Sequence, residues 1–245
     1  MAVATMGLLL AAGAASATAS SPVLEFATPG NAFPVAFTTE SGEVKAELAG
    51  FESVVTCTTS QGEGEITGPH STMSEYTFTG CAAKGSSLNA SCKSEGAATG
   101  EILSEQVEAE PVFIDQARDE VGMLLDPHGG VYMEFECGGE SVVAEGPFLA
   151  PGSPIDKETM SFTLALSESH GVQTPNEYES ADGQKHLALP TGIRGTHQPA
   201  STGVEATFTV HTSAPVEVKA VTSAEIEAKQ REEAEKARQG EIKTL

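Results

Sequence analysis

Val204-Glu205-Ala206-Thr207-Phe208-Thr209-Val210 alternates apolar and polar side chains without a break. Successive side chains of an extended chain point to opposite faces, so the pattern predicts a strand with one buried face and one wet face. Val216-Glu217-Val218-Lys219-Ala220 continues the texture as a second run. Working back toward the N-terminus, Ser53–Thr58 and Glu75–Thr79 read as strands in the same way. Val131–Cys137 places Val131, Met133, Phe135 and Cys137 on a common face, and Glu158–Leu166 does so with Phe162, Leu164 and Leu166. Gly, Pro, Ser and Asn punctuate these runs, and residues 104–120 are the one ambiguous stretch. Parallel strands would need helical crossovers, for which the spacing leaves no room. The expected fold is therefore all-β, an antiparallel sandwich or barrel-like body, with a solvent-exposed α-helix at the C-terminus.

The helix is announced by Thr222-Ser223-Ala224-Glu225, a capping box in which Thr222 and Glu225 satisfy each other's backbone N–H groups. Strong helix formers follow, and Gly240 is the expected stop. Glu225–Lys229, Glu227–Arg231 and Glu232–Lys236 stand four residues apart in the favourable order. Ile226 is the single large apolar residue before Gly240, so the helix should project as a tail. This divides the chain into residues 1–19, a signal peptide; 20–221, a β domain; and 222–245, a charged helical tail.

Met1–Ser21 carries a short apolar stretch followed by small residues, with Ala17-Thr18-Ala19 as the cleavage candidate. The apolar run is shorter than the roughly 20 residues a spanning helix needs. The segment departs from pattern in having no Lys or Arg before Lys45. A secreted or cell-surface protein without a membrane span is expected.

The 35 acidic residues outnumber 13 basic ones, for a formal net charge of -22. Nucleic-acid binding needs clustered Lys and Arg, so it is excluded as an expectation. The excess acid serves solubility. The few Asp residues lie far apart, unlike the closely spaced Asp of calcium loops. With no Trp and 3 Tyr, the chain lacks the aromatic platforms of a carbohydrate module.

Cys57, Cys81, Cys92 and Cys137 make an even count, none at C-x-x-C spacing, which in an exported chain reads as two disulfides. A quasi-repeat bears on the pairing. Cys57 leads to Gly64-Glu65-Ile66 and Cys92 to Gly100-Glu101-Ile102, and each half reaches an aromatic strand ending in Cys81 or Cys137. Duplication favours Cys57–Cys81 with Cys92–Cys137. The turn-rich segment between Cys81 and Cys92 favours instead a local clasp, leaving Cys57–Cys137. The clasp is the preferred expectation, with the other pairing open.

VTCTTSQGEGEITG (55–68), FTGC (78–81), CKSEGAATGEI (92–102), FECGG (135–139) and SFTLALSESHGVQTPNEYE (161–179) together resemble a group of uncharacterised exported actinobacterial proteins. The resemblance covers roughly residues 50–180. It implies secretion and a β-rich body, and brings no catalytic residue, cofactor or ligand with it.

No G-x-S-x-G nucleophile elbow and no S-x-x-K occurs. His70, His128, His170, His186, His197 and His211 are scattered, most beside Pro or Gly. Gly62-Glu63-Gly64, Gly129-Gly130 and Leu189-Pro190-Thr191-Gly192 read as turns, and Asn89-Ala90-Ser91 as an incidental sequon. No catalytic, cofactor or metal residue is expected. The functional expectation is a non-catalytic exported protein for surface interaction or envelope structure, with a protein or envelope partner. The alternatives are a secreted hydrolase using a carboxylate pair and a small-ligand carrier, which an apolar cavity would favour.

Overall fold

In the computed structural model, residues 22–243 are described apart from 50–52, 86–87, 181–182 and 196–198. The signal segment and His197 lie outside the described residues. The chain forms strands β1 (Val23–Ala27), β2 (Val35–Ser41), β3 (Val44–Leu48), β4 (Ser53–Cys57), β5 (Thr59–Gly68), β6 (Ser71–Thr79) and β7 (Ala82–Gly85). It continues through β8 (Asn89–Lys93), β9 (Glu101–Leu103), β10 (Val107–Asp115), β11 (Glu120–Pro127), β12 (Val131–Cys137), β13 (Glu140–Glu145) and β14 (Phe148–Ser153). The last strands are β15 (Thr159–Ser169), β16 (Val172–Thr174), β17 (Glu177–Glu179), β18 (Lys185–Leu187), β19 (Thr191–Arg194) and β20 (Ala200–Val221), before helix α1 (Ser223–Lys243). Residues 104–120 thus resolve into strand, with a single 3-10 turn at Gln116–Arg118.

The antiparallel pairings close on themselves twice. One ring runs β2-β5-β6-β10-β11-β14-β15-β20 and returns to β2. The other runs β3-β4-β7-β8-β12-β13-β19-β20 and returns to β3. The chain steps between rings as β2 leads into β3, β4 into β5, β6 into β7, β11 into β12 and β13 into β14. The rings are therefore two storeys of one eight-position antiparallel barrel. Strand β20, 22 residues long, is the seam: β1, β2 and β3 pair along one edge, β15 and β19 along the other. The two runs expected at Val204 and Val216 are parts of this single strand.

Inward positions of β20 include Ala206, Phe208 and Val210, all buried, while Glu205, Thr207 and His211 face water. On β6 the inward row is Thr72, Ser74, Tyr76 and Phe78, and the outward row includes exposed Glu75. An apolar interior with a charged exterior is the reverse of a membrane barrel. No helix among the described residues is long and apolar enough to cross a membrane. Each fully buried Leu, Ile, Val or Phe contributes roughly 1.5–3 kcal/mol.

Several local expectations are corrected. Gly62 and Gly64 lie inside β5 and not in a turn. Their inward positions are filled by neighbours: a Cβ on Gly62 would stand 2.6 Å from Thr39 Oγ1, and one on Gly64 2.7 Å from Phe37 Cζ. Thr191 and Gly192 belong to β19, leaving only Leu189-Pro190 as a connection. In β12 a register shift between Val131 and Met133 brings Tyr132 into the buried set in place of Val131. Gly129 and Gly130 do form a turn, at φ 86 and 87.

The capping box forms as expected. Thr222 N–H donates to Glu225 Oε2 at 2.7 Å, and Glu225 N–H donates to Thr222 Oγ1 at 3.3 Å. The helix runs through Gly240 to Lys243, because helix-compatible residues follow and a glycine stops a helix only where it turns left-handed. Arg231 pairs with Glu227 at 2.9 Å, but Lys229 reaches Glu25 of β1, which Lys219 also approaches at 3.9 Å. The tail is thus tied to the barrel end at its first turns.

The disulfides are Cys57–Cys81 and Cys92–Cys137, which overturns the local clasp. Cys81 and Cys92 do lie beside each other, with Cys92 N–H donating to Cys81 O at 3.0 Å, while Gly100 takes up the remaining backbone groups, its O accepting from Cys81 N–H and its N–H donating to Cys92 O, both at 2.9 Å. Each cysteine meets its true partner across its other edge, with Cα atoms 3.9 and 4.2 Å apart.

Candidate functional site

The second ring holds an apolar cavity of about 60 Å³. Its walls are Val44, Ala46 and Leu48 of β3, Val55 and Cys57 of β4, Tyr132, Met133 and Phe135 of β12, and Val142 and Ala144 of β13. Gly192 of β19 with Thr202 and Val204 of β20 complete the wall. Phe78, Ile102, Phe148, Leu166 and Phe208 close it on the side of the first ring. Strand alternation brings these residues together: every second residue of β3, β4, β13 and β20 faces the lumen. Edge-to-face packing of Tyr132 on Phe148 (centroids 5.1 Å) and of Tyr76 on Phe208 (6.1 Å) fixes the floor.

Two polar side chains border this space. Tyr132 is 7% exposed, and burial together with the nearby Tyr76 pushes its hydroxyl well above the usual tyrosine range, so it is neutral at physiological pH. Thr202 is 3% exposed, and its Oγ1 has no hydrogen-bond partner among the described residues. The backbone around it is paired: Thr202 lies opposite Leu48, and its N–H donates to Pro190 O at 3.0 Å. The absent side chain of Gly192 makes room for it, since a Cβ there would stand 2.4 Å from Thr202 Oγ1. At the rim, Arg194 stands opposite Val142 and Glu140 opposite Cys137, on the lumen side of their strands. Arg194 Nε lies 3.9 Å from Glu140 Oε2.

Where the two storeys meet, β15 leaves β20 after Leu166 while β19 joins only at Ser201. Gln173 of β16, 2% exposed, fills the gap. Its Nε2 donates to Ser167 O at 2.8 Å, and its Oε1 accepts from Val204 N–H at 2.9 Å. One side-chain amide thus replaces a missing strand beside a residue of the cavity wall. Next to it, Glu168 accepts from Gly171 N–H (2.9 Å) and pairs with Lys45 (3.2 Å). Burial pushes the Glu168 carboxyl up, but Gly171, Lys45 and His170 together hold it below the usual range.

A second concavity of about 430 Å³ lies outside the first ring, under the β17–β18 arm. Glu110, His70, Tyr178 and His186 border it. Burial raises the Glu110 carboxyl, His70 opposes this, and Asp126 adds to it. His186 stacks on Tyr178 (5.5 Å) and its Nε2 lies 2.9 Å from Ser180 Oγ. Ser180 Oγ also donates to Gln184 O at 3.2 Å, so this exposed pair closes a hairpin turn.

Of the cysteines and histidines singled out in the sequence, Cys57 alone lines the cavity among the described residues; Cys81, Cys92 and Cys137 brace the strands beside it. His128 pairs with Glu108 at 3.0 Å and His211 lies 3.7 Å from Glu40, both on the outside. Among the described residues no group of three or more His, Cys, Asp or Glu is placed to hold a metal. Thr202, Tyr132 and Gln173 were missed. Thr202 is one of many Ser and Thr residues in polar alternations, and no local signal marks it.

Comparison with protein families, curated proteins and solved structures finds no match. The site is therefore read from its own chemistry.

Proposed function

We propose that the protein is an exported, non-catalytic carrier that holds a small apolar molecule in the lumen of its barrel. The observation that carries this reading is the apolar cavity of about 60 Å³, ringed by strands of the second storey and floored by aromatic side chains. Buried cavities of this kind stay dry and accept apolar guests; an engineered one of about 150 Å³ takes benzene or xenon. The present volume is well under half of that one, so it suits a guest of about two or three heavy atoms. The cavity moves the reading from surface interaction toward carriage.

Export is part of the proposal. Two disulfides are compatible with an oxidising compartment, and the Met1–Ser21 segment has the short apolar run and small-residue end of a signal.

Xenon-pressurised crystals test carriage: a xenon peak among Val44, Val142 and Thr202 is expected, and an empty lumen at saturating pressure would reject it. Intact mass of the protein recovered outside the producing cells tests export. Cleavage after Ala19 and a loss of four hydrogens on oxidation are expected.

A further inference from the structure

We infer that the lumen selects uncharged guests bearing one hydrogen-bonding group, alcohols or aldehydes of about two or three heavy atoms, through the hydroxyl of Thr202. The inference rests on the carrier reading and adds the chemistry of the guest. A threonine hydroxyl sealed from water needs a partner, because a buried unsatisfied hydroxyl is destabilising. Thr202 is 3% exposed, lines the cavity, and has none among the described residues. A guest hydroxyl can both donate to and accept from it, and an aldehyde oxygen can accept from it.

The walls rule out a charged head. Apart from Thr202 and the neutral Tyr132, the lining residues are aliphatic, aromatic, Gly, Met or the disulfide-bonded Cys57. An ion there would be buried without a counter-charge, and would be excluded or neutralised. Arg194, at the rim, has Glu140 beside it. Gly192 points the same way, since any side chain at that position would occupy the place of the Thr202 hydroxyl.

Thr39 and Thr212 supply internal controls. Their hydroxyls are also buried without partners among the described residues, but neither residue lines this cavity.

The test is NMR titration of the full chain with ethanol, acetaldehyde, formate and propane, each of three heavy atoms, comparing the protein with Thr202→Val, Thr202→Ser, Thr39→Val and Thr212→Val. Thr202→Val should weaken ethanol and acetaldehyde about tenfold, the equivalent of one neutral hydrogen bond. Propane should bind Thr202→Val at least as well as it binds the protein. Thr202→Ser should keep the alcohol affinity, Thr39→Val and Thr212→Val should not change it, and formate should not bind. Equal ethanol affinity in the protein and in folded Thr202→Val, with propane binding in both, would overturn the selectivity and leave carriage standing. Loss of alcohol affinity in Thr202→Ser, or an equal loss in the control variants, would also overturn it. If none of the four probes binds the protein, carriage itself fails.

Discussion

Replacing Gln173 by Met keeps a long, flexible side chain of similar volume and removes only the amide. In the native structure that amide donates to Ser167 O and accepts from Val204 N–H, at 2.8 and 2.9 Å, inside a residue that is 2% exposed. Among the described residues no strand forms a backbone ladder with Val204 on that edge, because β15 has left β20 after Leu166 and β19 pairs only with Ala200 and Ser201. The variant therefore strands one buried donor and one acceptor, each costing about 1–3 kcal/mol. Ser167 is exposed at the hairpin and can turn its carbonyl to water, so the donor at Val204 dominates. The net loss should be about 2–4 kcal/mol, or a fall in Tm of roughly 5–15 °C for a chain of this size. Urea unfolding gives the free energy, and hydrogen exchange at the Val204 amide locates it. A loss below about 0.5 kcal/mol, the range of ordinary surface substitutions, with Val204 exchange unchanged, would refute the idea that this amide stands in for a strand.

Four other outcomes follow from the same geometry. Thr202→Val should raise the stability of the empty protein by about 1 kcal/mol, because it removes an unpartnered buried hydroxyl at constant shape; urea titration checks the sign. Gly62→Ala should cost about 1–3 kcal/mol, since the new Cβ would meet Thr39 Oγ1 at 2.6 Å and Tyr76 Cδ1 at 2.7 Å, and a denaturation midpoint at or above wild type would contradict the packing. Replacing Cys92 and Cys137 together by Ala should cost about 2–5 kcal/mol, measured by chemical denaturation against the oxidised protein. Glu168 has a folded carboxyl held below its unfolded range, so the stability it contributes is fully present above the usual carboxylate value and is lost as pH falls through the depressed one. Between pH 5 and pH 3, wild type should lose more stability than Glu168→Gln, and parallel pH profiles would show that the Lys45 and Gly171 contacts do not discriminate between the two forms.

The candidate site was only partly legible. Val44, Val55, Phe135, Val142, Phe208 and their neighbours are apolar residues in period-two runs, and such periodicity marks a face as buried without saying whether the space it encloses is filled. The cavity appears because the eight positions of the second storey close around side chains as small as Ala46, Ala144 and Gly192. That is a sum of volumes contributed from strands as far apart in sequence as Val44 and Val204, and no window of the chain contains it. The cysteines show a similar limit: short separation favoured Cys81–Cys92, whereas the strands that meet across the other edges, β4 against β7 and β12 against β8, decided the bonds.

By itself the sequence determined the elements. Alternation in Val204–Val210 and its counterparts specified extended chain with one buried face, and Thr222 and Glu225 marked where the strand gives way to helix. Both are local effects, decided by side-chain direction and by backbone groups a few residues away. The tertiary structure decided closure: which edges meet, that β20 serves both storeys, that Gln173 completes a missing edge, and that Thr202 faces an empty apolar space. These depend on register and packing between distant segments, where a strand's identity says which face is buried but not what will lie against it.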